Sequence, residues 1–79
     1  MAYLERLKAG SEFHKVKLHS DGSFSIQAAN NDSEECRERF HEIVDEAIAK
    51  APSEGYGINP KRSSRDPKGR WDFAVITIS

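Results

Sequence analysis

Along one stretch of this chain, apolar residues recur at intervals of three and four: Cys36, Phe40, Ile43, Val44, Ala47, Ile48 and Ala51. That spacing lines one face of an α-helix, so the pattern predicts an amphipathic helix over 32–51. Glu34, Glu38, Glu42, Asp45 and Glu46 fall on the opposite face. Asp32 is the expected N-cap, with Glu35 three residues on as its reciprocal partner. Pro52 is expected to end the helix and to keep Ala51 out of helical geometry. Phe40 and Ile48 are expected in the core.

Before the helix the period drops to two. Val16 and Leu18 alternate with Lys15, Lys17 and His19, and Phe24, Ile26 and Ala28 alternate with Ser23, Ser25 and Gln27. Two alternating runs around Ser20-Asp21-Gly22 predict a β-hairpin over 13–28. Parity decides its turn. A two-residue Asp21-Gly22 turn pairs Leu18 with Ser25 and splits the apolar residues between the faces. A three-residue loop pairs Leu18 with Phe24 and Val16 with Ile26, gathers them on one face, and puts Gly22 at the left-handed position.

Residues 1–11 are expected to form a short helix over 2–9, with Tyr3, Leu4 and Leu7 on one side, or to fray. Gly10 and Ser11 stop it. From 52 to 70 the chain is a polar, basic connection, in which Tyr56 and Ile58 suggest a weak edge strand. The last strand runs over 71–78. Phe73 and Val75 point one way and Ala74, Ile76 and Ile78 the other, so it is expected to be central or covered on both sides.

The expected fold is a single α+β domain over 1–79, a small sheet of order 2-1-3 from β-β-α-β, with one helix on one face. A right-handed crossover places the last strand beside the first. The helix is expected to cover Val16, Leu18, Phe24, Ile26, Ala74, Ile76 and Ile78. The opposite face, with Phe13, Lys15, Lys17, Phe73 and Val75, is left bare, to be covered by a second copy, by residues 1–9 or by a foreign partner.

Composition narrows the classes. With 79 residues, 37% apolar and 32% charged, the core is small. A net charge of −1 excludes a globally basic nucleic-acid binder. One cysteine allows no internal disulfide, and no apolar run reaches the ~20 residues of a membrane span. The chain is therefore expected to be soluble, cytoplasmic and whole.

Candidate chemistry is sparse. His14 and His19 fall on opposite faces of a strand, and Cys36 and His41 point apart on the helix, so no metal site is expected. Cys36 lies on the apolar stripe and reads as a core residue. The helix carboxylates sit on a convex face, whereas acid–base catalysis needs a pocket, so neither an enzyme nor a cofactor is implied. Two charged stretches remain. Lys61, Arg62, Arg65, Lys68 and Arg70 oppose only Asp66, and with Trp71 and the sheet aromatics they suit single-stranded nucleic acid. Glu34, Glu38 and Glu42 form a line along the helix that a basic protein groove could accept. The two surfaces are expected on opposite sides of the sheet, as a charge dipole. The function expected first is protein binding, of adaptor or inhibitor type or by self-association, through Phe13, Lys15, Lys17, Phe73 and Val75 and the acidic line. The alternative is nucleic-acid binding through the basic loop.

Overall fold

In the computed structural model, which describes residues 3–78, the hairpin forms in the register that parity demands. Strands β1 (His14–Leu18) and β2 (Phe24–Ala28) pair antiparallel, with Leu18 opposite Phe24 and Val16 opposite Ile26. Gly22 takes the left-handed position at φ 89°, which a side chain would strain. Asp21 accepts from the hydroxyl and the backbone N–H of Ser23, and these bonds, helped by Arg62, hold its carboxyl down to about 2.

Helix α2 (Glu34–Lys50) begins at a different cap from the expected one. Ser33 is the N-cap, its Oγ accepting the Cys36 N–H at 3.1 Å. Asp32 is held in the preceding turn, where its N–H donates to Asn30 Oδ1 at 3.0 Å. At the other end Ala51 keeps right-handed helical angles, against expectation, because Pro52 opens a 3-10 turn (Pro52–Glu54) at a position where its missing N–H costs nothing.

The core lies between α2 and the sheet. Cys36, Phe40, Val44, Ala47 and Ala51 are buried with Phe24, Ile26, Ala74 and Ile76. Ile48 does not join them and is 41% exposed. It shares a flank of the helix with His41 and Asp45, beyond the buried stripe. Leu18, at 68%, and Ile78, at 53%, are also outside the core that was expected to hold them. One sits on an edge strand and the other at a strand end, past the footprint of α2.

The sheet departs from the expected order. Besides the hairpin it contains β3 (Tyr56–Ile58), β4 (Ser64–Arg65) and β5 (Trp71–Ile78), arranged β1-β2-β5-β3, with β4 also paired to β5. The last strand therefore lies beside β2, not β1. Both β2 and β3 are antiparallel to β5, hence parallel to each other. The crossover through α2 thus joins β2 to β3, and β5 returns between them. The handedness rule governs parallel strands, so applying it to β5 misplaced that strand.

A second helix, α1 (Tyr3–Ala9), is present; its expected start at Ala2 lies outside the described residues. It does not cover the bare sheet face. Leu7 is buried in the α2 core, and Tyr3 and Leu4 pack against it. The Leu4 N–H donates to Glu54 Oε1 at 3.1 Å, tying α1 to the 3-10 turn that follows α2. No helix among the described residues is long and apolar enough to cross a membrane.

Candidate functional site

The predicted basic loop and acidic helix line meet each other. A turn over Asp66-Pro67-Lys68-Gly69, closed by the Gly69 N–H donating to Asp66 O at 2.9 Å, links β4 to β5. Gly69, at φ 85°, supplies the left-handed residue such a turn needs. The turn rests on the first half of α2. Arg70 donates through Nη1 to Glu34 Oε2 at 2.8 Å and Glu38 Oε1 at 3.0 Å, and through Nε to Asp66 Oδ2 at 2.9 Å. Arg37 donates to Asp66 at 2.8 Å and lies 3.8 Å from Asp72, while Lys68 reaches Glu34 at 3.5 Å. Opposite charges drew the loop onto the helix, so the expected charge dipole across the sheet does not exist.

Asp66 is the centre of this network. Its carboxylate also accepts the Lys68 and Arg70 N–H groups at 3.0 and 2.9 Å. The Arg37 guanidinium, followed by the Arg70 N–H and guanidinium, holds its carboxyl well below the usual range. Arg70, then Lys68, lowers Glu34 as well, and Glu34 with Glu38 and Asp66 raises Arg70. A carboxylate with a depressed folded pKa contributes stability above its ordinary pKa and loses it as pH falls through the folded value. Stability should therefore hold from neutrality down to about pH 4 and fall below it. Thermal melts of wild type and Asp66→Asn at about pH 7, 4 and 2.5 check this. The variant should melt lower at neutrality and show the shallower acid limb; parallel acid limbs would remove Asp66 from the centre.

The other nucleic-acid candidates are also engaged. Arg62 pairs with Asp21 at 3.4 Å. Arg65 stacks 4.0 Å above the Trp71 ring and donates to Gly69 O. Trp71 is buried in the α2 core, with Nε1 3.4 Å from Asp45 and its backbone N–H donating to His41 Nδ1 at 3.2 Å. Its ring has Arg65 over one face and the residue is only 8% exposed. Of the five cations, Arg62, Lys68 and Arg70 are ion-paired, whereas Arg65 and Lys61 have no charged partner among the described residues. Of the acidic line, Glu34 and Glu38 hold Arg70, and Glu42 lies 3.5 Å from Arg39.

The sheet face away from α2 is more polar than expected. Its cross-strand rows are Lys15, Gln27 and Phe73, and then Lys17, Ser25 and Val75. Phe73 is 36% exposed, but Val75 only 4%. Residues 59–63 bracket Val75: the Asn59 N–H donates to Val75 O at 2.8 Å, and the Val75 N–H donates to Ser63 Oγ at 2.9 Å. Phe13 turns to the core side and packs there. The expected apolar patch thus reduces to Phe73, with Gln27 and Ser64 as its cross-strand neighbours and Lys15 beyond Gln27, near a depression of about 70 Å³ lined by Lys15, Val16, Lys17, Ser25 and Gln27.

A larger cleft, about 360 Å³, opens between α1 and α2 beside Tyr3, Arg6, Ser11, His14 and Glu46. Sequence reasoning passed over its Ser11-x-x-His14 pair, whose only signal was a serine three residues before a strand histidine. Partial burial, then Glu46, pushes the Tyr3 phenol up to about 12. His14 Nε2 lies 2.9 Å from Leu7 O. A carbonyl only accepts, so Nε2 carries the proton and Nδ1 accepts the Ser11 hydroxyl at 2.7 Å. This resembles a nucleophile and its base. The nearby Gly10 and Ser11 N–H groups, however, already donate to Leu7 O and His14 O, leaving neither for an oxyanion. The pair ties the end of α1 to β1. Cys36 is buried, its thiol donating to Phe13 O and its sulfur accepting from the Asn30 N–H. No group of potential metal ligands occurs among the described residues. Compared with known proteins, the chain matches no family model, no curated protein and no solved structure.

Proposed function

We propose that this chain is a non-catalytic module that binds another protein through the sheet face turned away from α2. The observation that carries the reading is the row of Lys15, Gln27 and Phe73. It presents one exposed aromatic ring, with polar side chains as its cross-strand neighbours, on three paired strands with no helix over them among the described residues. An aromatic anchor within a polar rim is the composition of a protein interface. The depression between Lys15 and Lys17 adds a place for an acidic side chain. Lys15 and Lys17 are both exposed, so this face carries two cations open to an acidic partner. A second copy of the same face is a poor partner, because packing two such faces together brings four lysines into one interface.

A peptide display library, panned against wild type and then tested on variants, examines this. Phe73→Ser and the double change Lys15→Glu/Lys17→Glu alter only exposed side chains, so the fold should survive. Selected peptides should bind wild type and lose at least about tenfold, or roughly 1.4 kcal/mol, on either variant. Peptides that bind the variants equally well would defeat the reading. So would an oligonucleotide binding more tightly than any selected peptide, with a steep salt dependence.

A further inference from the structure

Among the described residues, strand β1 is an edge of the sheet, paired only with β2. Which of its backbone groups are free follows from the hairpin. The Ala29 N–H donates to Phe13 O and the His19 N–H to Ser23 O, so residues 13, 15, 17 and 19 face β2. Residues 14, 16 and 18 face outward. His14 O is taken by the Ser11 N–H at 3.1 Å, which closes that end of the edge. The N–H and C=O groups of Val16 and Leu18 have no partner among the described residues. Beside them stand Leu18, far more exposed than its strand partner Phe24, and the uncovered Lys15 and Lys17.

An open edge with free backbone groups is a template for another strand. From this geometry we infer that β1 accepts an extended segment of a partner protein as an added strand, one in which acidic and apolar residues alternate. The inference rests on the protein-binding reading above and names the partner's chemistry. Side chains on an added strand alternate between the two faces. On the α2 side they meet Val16 and Leu18 and should be apolar; on the open side they meet Lys15 and Lys17 and should be acidic. A second copy of β1 fails that test. Antiparallel pairing about a two-fold axis through Val16 sets Lys15 against Lys17 of the copy, and an axis through Lys17 sets it against itself. Like charges directly opposite are destabilising, so the lysines exclude self-pairing while they select an acidic strand.

The test uses the full chain and three synthetic decapeptides: alternating Glu and Val, alternating Lys and Val, and the Glu-Val sequence N-methylated at every second residue. Amide exchange and chemical shifts are followed by NMR. The Glu-Val peptide should bind, slow exchange at the Val16 and Leu18 amides, and lose at least about tenfold in affinity on Lys15→Glu/Lys17→Glu. The Lys-Val peptide should bind that variant in its place, and the peptide N-methylated on its hydrogen-bonding edge should not bind. Shifts at Lys15, Lys17 and Phe73 without protection of Val16 and Leu18 would overturn strand addition while leaving face binding intact. Failure of every peptide here, beside success of library-selected ones, has the same meaning. Failure of both sets ends both readings.

Discussion

Truncating Phe40 to Ala should cost about 3–5 kcal/mol, because a fully buried aromatic loses its transfer energy and leaves a cavity. Phe40 lies at the middle of the α2 stripe, between Cys36 and Val44, in the cluster shared with Phe24, Ile26 and Ile76. A domain of this size has a total stability on the order of 4–12 kcal/mol. The variant should therefore melt roughly 15–30 °C lower or be largely unfolded at room temperature. Ile48→Ala is the matched control. At 41% exposure it should cost less than about 1 kcal/mol, although the repeat of apolar positions assigns both residues to one face. Denaturant melts of the two variants decide it. Equal losses would mean that the buried stripe of α2 is rotated from the one described.

Trp71→Ala should be the second large loss, about 3 kcal/mol or more. The ring is buried among the core residues, capped on one side by Arg65 and tied at its indole N–H to Asp45. Arg65→Ala removes an exposed cation from that ring and should cost only ~0.5–1 kcal/mol. Trp71→Phe should retain most of the lost stability. The contrast also bears on function. A tryptophan serving as a platform for bases is exposed, and its removal leaves the melting temperature nearly unchanged. If Trp71→Ala melts with wild type, the burial described here is wrong, and the stacking surface returns as a possibility.

Both experiments turn on features that the chain writes locally and others that it does not. The periods are local. Residues three and four apart share a helix face, and residues two apart share a strand face, whatever lies elsewhere. The extents of α2 and β5 and the register Leu18–Phe24 could therefore be read from Cys36 to Ala51, Trp71 to Ile78 and the parity around Gly22. Turn chemistry is local too, as Gly22 and Gly69 show. The N-cap was less legible, because Asp32 and Ser33 are both competent and the choice rests on the Asn30 turn.

Pairing across distance was decided only by the tertiary structure. The three-residue β3 was legible as a weak edge strand at Tyr56 and Ile58, but its short pattern did not show that it receives the crossover and so moves β5 from beside β1 to beside β2. Charge behaved in the same way. In the sequence Lys68 and Arg70 form part of a basic run and Glu34 and Glu38 an acidic line, each apparently free for a partner. In the fold they neutralise one another around Asp66, because the β4–β5 turn lands on the first turns of α2. Val75 shows the apolar counterpart. Alternation alone fixes which face it points to, whereas the segment that bonds its backbone, residues 59–63, has no period to hint at its destination. Periodicity reports on which residues share a surface. What lies against that surface depends on contacts between segments far apart in sequence, and those are set by the free energy of the whole chain.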